Sequence, residues 1–143
     1  MPAGRWTLYR SALRKIGLRE IDLQRDAFRM ALFAASSNCH GKGLEWYGEV
    51  TDEIPDGNGY ARGGAALPDV TWDGLTFDAG LLVWMAEGGP LVARRAVIYD
   101  ATVAGAPLLA WCDMDTAGDV TVTDGNELRV RLAGIFAFAG EGD

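Results

Sequence analysis

The feature that most restricts the fold is a pair of apolar runs near the middle of the chain. Residues 91–99 and 107–113 are rich in Val, Ile, Leu, Tyr and Trp, and the small residues Ala104, Gly105 and Ala106 lie between them. Two strand-like runs joined by a short connection of small residues predict a β-hairpin. Because an isolated hairpin is only marginally stable in water, we expect other elements to cover its apolar side chains.

The rest of the chain alternates short apolar segments with glycine-rich turns. Nineteen of the 143 residues are glycine, which is about twice the usual share of roughly 7 %. This pattern predicts one domain over residues 1–143 that is mainly β, an antiparallel β-sandwich or a small barrel of about 7–8 strands. Its β-rich body spans residues 27–139, and the predicted strands are 27–34, 60–67, 70–72, 75–77 and 81–85, with a second hairpin of 120–123 and 127–138. A helix is the alternative for the segment 27–34.

The first residues predict one short N-terminal amphipathic helix. Trp6, Tyr9, Leu13 and Ile16 recur at spacings of three and four, which places them on one helical face. Gly17 follows where a C-terminal cap is expected. We therefore predict a helix over residues 5–17, with basic side chains mostly on its other face.

A long loop is predicted over residues 35–59, where Ser, Asn, Gly and Pro are frequent. Four apolar residues within it, Leu44, Trp46, Tyr47 and Ile54, are suited to one or two turns of helix packed against the body. We therefore expect the loop to be pinned to the body. The tail at residues 140–143 is polar and predicted to fray.

The charge distribution limits the classes of partner. The formal net charge is −7, which argues against a general nucleic-acid binder because phosphate neutralisation needs a basic surface. Residues 1–30 nevertheless hold seven basic and three acidic groups, so the remainder carries −11. The basic end is suited to an acidic partner or the next copy of the same chain; the alternative is a solvated helix face. No apolar run is long enough to span a membrane.

Candidate catalytic and metal-binding patterns are weak. The single histidine, His40, follows Cys39, but neighbouring side chains in an extended segment point to opposite faces and make a poor dyad. The run from Asp113 to Asp119 partly resembles a calcium loop, although Asp124 stands where that loop has a bidentate Glu. We predict no catalytic residues, no metal site and no cofactor, and two cysteines, Cys39 and Cys112, that remain thiols.

Five tryptophans suggest an alternative of another class, a lectin-like carbohydrate-binding module, because sugars pack on flat aromatic faces. That hypothesis requires two of Trp46, Trp72 and Trp84 to be exposed and coplanar. Aromatic filling of the core is the other interpretation. A hydrolase that uses paired Asp or Glu residues ranks last, because no acids have a recognisable spacing.

The order of several motifs resembles the small virion structural proteins of tailed bacteriophages. The resemblance begins with Tyr9-x-x-x-Leu13, Ile21-Asp22-Leu23 and the segment 57–64, GNGYARGG. It continues through AVIYD at 96–100, PLLA at 107–110 with Asp113, VTVTDGN at 120–126 and GIF at 134–136. The similarity extends along nearly the whole chain, and its specificity comes from the order of the motifs.

The resemblance implies a non-enzymatic, β-rich subunit present in many copies on the virion, made in the cytoplasm of the host bacterium. We expect a head decoration or capsid-associated subunit, with a tail or baseplate subunit as the alternative. The expected partners are other virion proteins, such as major capsid or tail proteins, and further copies of the chain, without nucleic acid or membrane. The predicted contact residues lie in the N-terminal region, the long loop and the segment just after it: Arg5, Trp6, Arg10, Arg14, Lys15, Trp46, Tyr47, Tyr60 and Arg62.

Overall fold

The computed structural model describes residues 5–115, 117–132 and 134–138. Over these residues the protein is mainly β, as predicted, with antiparallel strands, one α-helix, α1 (Arg10–Gly17), and one 3₁₀ turn (Tyr47–Glu49). The predicted tail at 140–143 and the last residue of the predicted body lie outside the described residues. The strands are β1 (Thr7–Leu8), β2 (Phe28–Phe33), β3 (Ala65–Ala66), β4 (Thr71–Trp72), β5 (Thr76–Asp78), β6 (Leu82–Met85), β7 (Leu91–Ala93), β8 (Arg95–Asp100), β9 (Leu108–Asp113), β10 (Val120–Val122), β11 (Glu127–Val130) and β12 (Phe136–Ala137).

A five-stranded antiparallel sheet forms the larger layer, in the order β1-β9-β8-β2-β3. Its central strands are almost entirely buried, which their unbroken apolar sequences require. Shorter pairs β10-β7 and β11-β6 and the three-stranded group β12-β5-β4 accompany it. The rings of Phe28 in β2 and Phe77 in β5 meet edge to face with centroids 5.2 Å apart. The arrangement is sandwich-like, and the predicted alternative of a closed barrel is not formed.

The described residues between 76 and 137 fold as one long, bent hairpin. The strands from β5 to β8 form its outgoing arm, and the strands from β9 to β12 return along it in reverse order. The predicted hairpin of 91–99 and 107–113 is therefore the tip of a larger one, and the pairing of β8 with β9 confirms it. Opposite residues approach each other along the two arms: Phe77 with Phe136, Leu82 with Val130, Leu91 with Val122, and Ala96 with Cys112.

The second predicted hairpin is wrong. β10 pairs with β7 and β11 pairs with β6, so the segment between β10 and β11 is a corner within one arm. Gly125 donates its N–H to Ala86 O at 2.7 Å, and Asp124 Oδ1 accepts the N–H of Gly88 at 3.1 Å. The turn residues therefore bend both arms together. The predicted run 91–99 is divided into β7 and β8, and the run 127–138 contains β11 and β12, so the described residues contain more strands than predicted.

The predicted helix begins too early. Residues 7–8 are extended and pair with β9, and Tyr9 donates its N–H to Leu109 O at 3.1 Å before α1 begins. The predicted apolar face is also wrong in part, since Leu13 is 48 % exposed while Ala12 and Lys15 are buried. Completing the edge of β9 satisfies backbone groups that an earlier helix start would leave open. Within the described ranges, no helix is long and apolar enough to cross a membrane.

The long loop is pinned, as predicted. Its 3₁₀ turn is the expected turn of helix, and isolated bridges join Phe33 to Glu53 and Trp46 to Pro107. The predicted strand 60–67 is reduced to β3, preceded by Gly64 at φ +78°. A Cβ atom at Gly64 would lie 1.8 Å from Met30 O, so this position requires glycine for both its backbone conformation and its close approach to β2.

We predict that Gly64→Ala lowers the free energy of unfolding by about 3 kcal/mol or more, because the steric overlap adds to the left-handed strain. Gly74→Ala is the matched control, since Gly74 also has positive φ (+96°) but has nothing within 4 Å of the added Cβ. We expect a loss of about 1–2 kcal/mol there. Urea titrations measure both values, and equal losses would contradict the packing of residues 63–64 against β2.

Candidate functional site

The start of α1 and the early part of the long loop are fastened together. Tyr9 donates its hydroxyl to the backbone oxygen of Cys39 at 2.5 Å, and Ser11 Oγ donates to Leu44 O at 2.9 Å. Burial and the nearby Cys39 thiol raise the pKa of Tyr9 far above its ordinary value, so this hydroxyl stays protonated and donating. The two regions predicted to make contacts therefore form one continuous surface.

A second set of contacts lies one turn further along α1. Lys15, with a side chain that is 7 % exposed, forms an ion pair with Glu45 and places its Nζ 4.4 Å from the centre of the Trp46 ring. Arg14 approaches the same carboxylate at 3.3 Å but is 63 % exposed. The Lys15 hydrogen bond lowers the pKa of Glu45 below its usual range. Lys15 thus holds the loop to the helix, while Arg14 remains open to solvent.

Between β1, the first residue of α1 and the loop lies an open groove of about 390 Å³. Arg10 and Lys42 line it and are exposed, and none of its eight lining residues is acidic. Its apolar surface comes mainly from the partly exposed Leu8 and Trp111, because Tyr9 is buried. The full lining is Thr7, Leu8, Tyr9, Arg10, His40, Gly41, Lys42 and Trp111.

The histidine in this groove is held by Arg95. Arg95 Nη1 lies 2.9 Å from His40 Nδ1, and because a guanidinium only donates, Nδ1 accepts and the ring proton lies on Nε2. The same guanidinium bonds to Ser37 O at 3.1 Å and to Asp113 Oδ1 at 3.0 Å. Cys39 is buried beside it, and burial raises the pKa of its thiol, as expected for an unreactive cysteine. The described geometry contains no Cys39–His40 dyad, because the thiol is buried and the imidazole is exposed.

Glu53 fixes the second half of the loop. Its carboxylate accepts hydrogen bonds from the hydroxyls of Tyr47 and Tyr60 and, at 2.7 Å, from the N–H of Gly63. Tyr47 also stacks on Tyr99 of β8 with centroids 4.3 Å apart. Burial first, and then Glu53, raise the pKa values of Tyr47 and Tyr60, so both hydroxyls remain donors at neutral pH.

The predicted contact residues therefore divide into two groups. Arg5, Arg10, Arg14 and Arg62 are exposed, and Trp6 and Trp46 are partly exposed. By contrast, Lys15 and Tyr60 are buried and Tyr47 is half-buried, and all three hold the loop in place. His40 and Lys42 lie in the long loop that is predicted to make contacts, although neither is among the named contact residues, and Trp111 lies outside the predicted contact regions. No local signal could have added Trp111, because it reaches the N-terminal region through the pairing of β1 with β9.

The condition for a carbohydrate site is not met. Trp84 is 6 % exposed, Trp72 packs edge to face on Phe138 at 5.6 Å, and Trp46 carries Lys15 on its ring. Two of these three would have to be exposed and coplanar. Their partners in the structure are side chains of the chain itself.

The calcium-like run is occupied by internal contacts. Asp113 pairs with Arg95, and Asp115 Oδ1 accepts the N–H of Ala117 at 2.8 Å. Residue 116 of this run lies outside the described part of the chain. Among the described residues, no group of three or more His, Cys, Asp or Glu side chains is arranged to hold a metal ion. Cys39 and Cys112 are both buried and are not joined by a disulfide.

Asp100 is the buried acid with the most perturbed titration in the described residues. It lies at the tip of the long hairpin, where its Oδ1 accepts the N–H groups of Thr102 at 2.9 Å and Val103 at 3.3 Å. Burial, together with the neighbouring Asp26 carboxyl, raises the pKa of Asp100 to about 7. Its contacts are those of a turn, so we interpret it as a structural residue.

Three comparisons with known proteins gave no match: no protein-family model, no curated protein and no solved structure is similar to this chain.

We predict that Glu53→Gln lowers the free energy of unfolding by about 1–3 kcal/mol, because the amide nitrogen does not accept the hydrogen bonds now made to the carboxylate. Glu87→Gln is the control, the same chemical change at an exposed position. Chemical denaturation measures stability, and limited proteolysis measures cleavage within residues 35–64. Unchanged cleavage in Glu53→Gln would contradict the role of Glu53 in holding the loop.

We predict that Asp100→Asn removes a pH dependence of stability. Because the folded pKa is raised to about 7, the folded protein binds this proton more tightly than the unfolded chain does. Its stabilising contribution is complete below the unfolded pKa of about 3.9 and is lost as pH rises through 7. Asn keeps the Oδ1 acceptor without the charge.

The measurement is Tm across pH 4–8. The variant should match the wild type near pH 4 and exceed it at pH 8 by about 3–5 °C for each kcal/mol recovered. Glu87→Gln should follow the wild type at every pH. Parallel Tm curves for Asp100→Asn and the wild type would show that folding does not raise the pKa of Asp100.

Proposed function

We propose that this chain is a non-enzymatic structural protein of a bacteriophage virion, a head decoration or capsid-associated subunit that binds the particle through its N-terminal region and long loop. The ordered resemblance to small virion proteins of tailed phages motivates the class. The observation that carries the proposal is the joining of α1 to residues 39–46, which makes both regions one surface.

The contact surface has the form that such a role needs. Loops and termini provide contacts while a rigid sheet holds them in position, and here the five-stranded sheet holds the loop through Arg95 and Glu53. The exposed side chains Arg5, Arg10 and Arg14 are available to a partner. Buried Lys15 and Tyr60 support this surface from beneath. The exposed arginines therefore contact the partner, and the buried residues maintain the shape of the contact surface.

The test is purification of virions on a density gradient from a lysate of the host bacterium. We expect the chain to migrate with intact particles, and gold-labelled antibody to mark heads. Its binding should weaken at about 1 M salt, where the Debye length falls to about 3 Å, because exposed arginines contribute. Label on tails would assign the chain to the tail or baseplate. Recovery only in particle-free fractions would overturn the proposal.

A further inference from the structure

We propose that the groove between β1, the start of α1 and residues 40–42 is a docking site for an acidic, extended segment of a partner protein. This inference deepens the proposed function and rests on it, because the partner would be another protein of the same particle. The groove lies within the contact surface described above. In this proposal, carboxylates of the partner contact Arg10 and Lys42, and its apolar side chains contact Trp111.

The charges in the groove favour an anion. Arg10 and Lys42 are exposed, and within the described ranges neither forms an ion pair. No acidic residue lines the groove, and Asp113, on the same strand as Trp111, is already paired with Arg95 at 3.0 Å. In a chain of net charge −7, a groove with cations and without carboxylates is a local reversal of sign. Such complementarity selects partners and orients them.

The helix beginning at Arg10 adds to this potential. Its N-cap residue, Tyr9, makes no side-chain capping bond, and its first turn contains no acid. The first N–H groups of a helix carry partial positive charge, which favours a carboxylate nearby. This effect supports the two side-chain cations and is not the basis of the site.

The apolar part of the groove indicates a peptide. Leu8 and Trp111 are partly exposed and give it an apolar surface, and the ring of His40 lies edge-on to that of Trp111 with centroids 6.3 Å apart. The volume, about 390 Å³, falls within the range of sites that hold small ligands and accommodates a few side chains. An extended segment points alternate side chains to opposite sides, so its carboxylates can contact Arg10 and Lys42 while its apolar side chains contact Trp111.

The overall charge favours a short acidic segment over a nucleic acid. Exposed charges are screened beyond about 8–10 Å, so a segment of a few residues interacts mainly with the groove cations. A nucleic acid continues past the groove over a chain whose residues beyond position 30 carry −11, where phosphates are repelled. A second copy of this chain is the third possible occupant of the groove. Comparing self-association of the wild type and the groove variant tests it directly.

The experiment measures fluorescence anisotropy of a fluorescein-labelled ten-residue peptide that alternates glutamate with leucine. Two comparison probes are the same peptide with glutamine for glutamate and an oligothymidine of equal charge. The variant Arg10→Glu/Lys42→Glu reverses both groove cations. The matched control is Arg25→Glu/Arg131→Glu, which makes the same change in net charge at two exposed positions outside the groove lining. Circular dichroism confirms that all proteins are folded.

We expect saturable binding of the acidic peptide to the wild type, at least about tenfold weaker binding to the groove variant, and less than about threefold change in the control. Equal weakening in both variants would overturn the inference, as would absence of saturable binding. Tighter binding of oligothymidine would assign the groove to nucleic acid. Self-association of the wild type that the groove variant abolishes would assign it to a second copy, and either result overturns the inference.

Rebinding to salt-stripped virions separates this inference from the proposed function. If the wild type and the groove variant rebind equally, the chain is a virion protein and the groove is not its docking site. If the wild type does not occur on virions at all, the proposed function fails, and the peptide titration still decides the chemistry of the groove. Rebinding by the wild type and the control, but not by the groove variant, is the result that both proposals require.

Discussion

The antiparallel pairing of residues 76–137 with each other is the constraint on which the rest of the structure depends. Its tip, β8 and β9, supplies the centre of the five-stranded sheet, and its open end supplies β5 and β12. Both arms must bend at the same places, because their strands are paired residue by residue across the ribbon. The corner at Gly125 and Ala86 satisfies this requirement with a direct backbone hydrogen bond. One continuous ribbon thereby contributes to both layers of the sandwich.

Two charged side chains, Arg95 and Glu53, hold the long loop in a fixed position relative to this ribbon. Arg95 lies on β8 and donates hydrogen bonds to Ser37 and His40. Glu53 lies in the loop and accepts hydrogen bonds from the hydroxyls of Tyr47 and Tyr60. Each of these groups makes several hydrogen bonds. A charged side chain with several hydrogen bonds fixes the positions of its partners better than a single exposed ion pair does. The loop has little regular secondary structure, but these hydrogen bonds fix its position. A surface with that property is suited to recognising a partner with little rearrangement.

Local patterns in the sequence were sufficient to predict the fold class, the strand at 28–33, the tip hairpin and the pinned loop. They failed where the same local sequence pattern is compatible with two different structures. Trp6 and Tyr9 have helical spacing, yet they flank a two-residue strand, because the edge of β9 needed a partner. Asp124 and Gly125 are typical of a hairpin turn and here form a corner. The groove depends on the pairing of residue 7 with residue 111, a long-range contact that no short window contains.

The nested pairing of the long hairpin also implies an order of folding. The tip closes a connection of only a few residues, so β8 and β9 can meet early at small loss of chain entropy. Each later pair then closes a small additional loop, and the ribbon can zip from the tip toward β5 and β12. Those outermost strands pair at only two positions, Phe77 with Phe136 and Thr76 with Ala137, so we expect them to close last. We also expect this end of the ribbon to open first in fluctuations of the native state, while β8 and β9 at the tip remain paired.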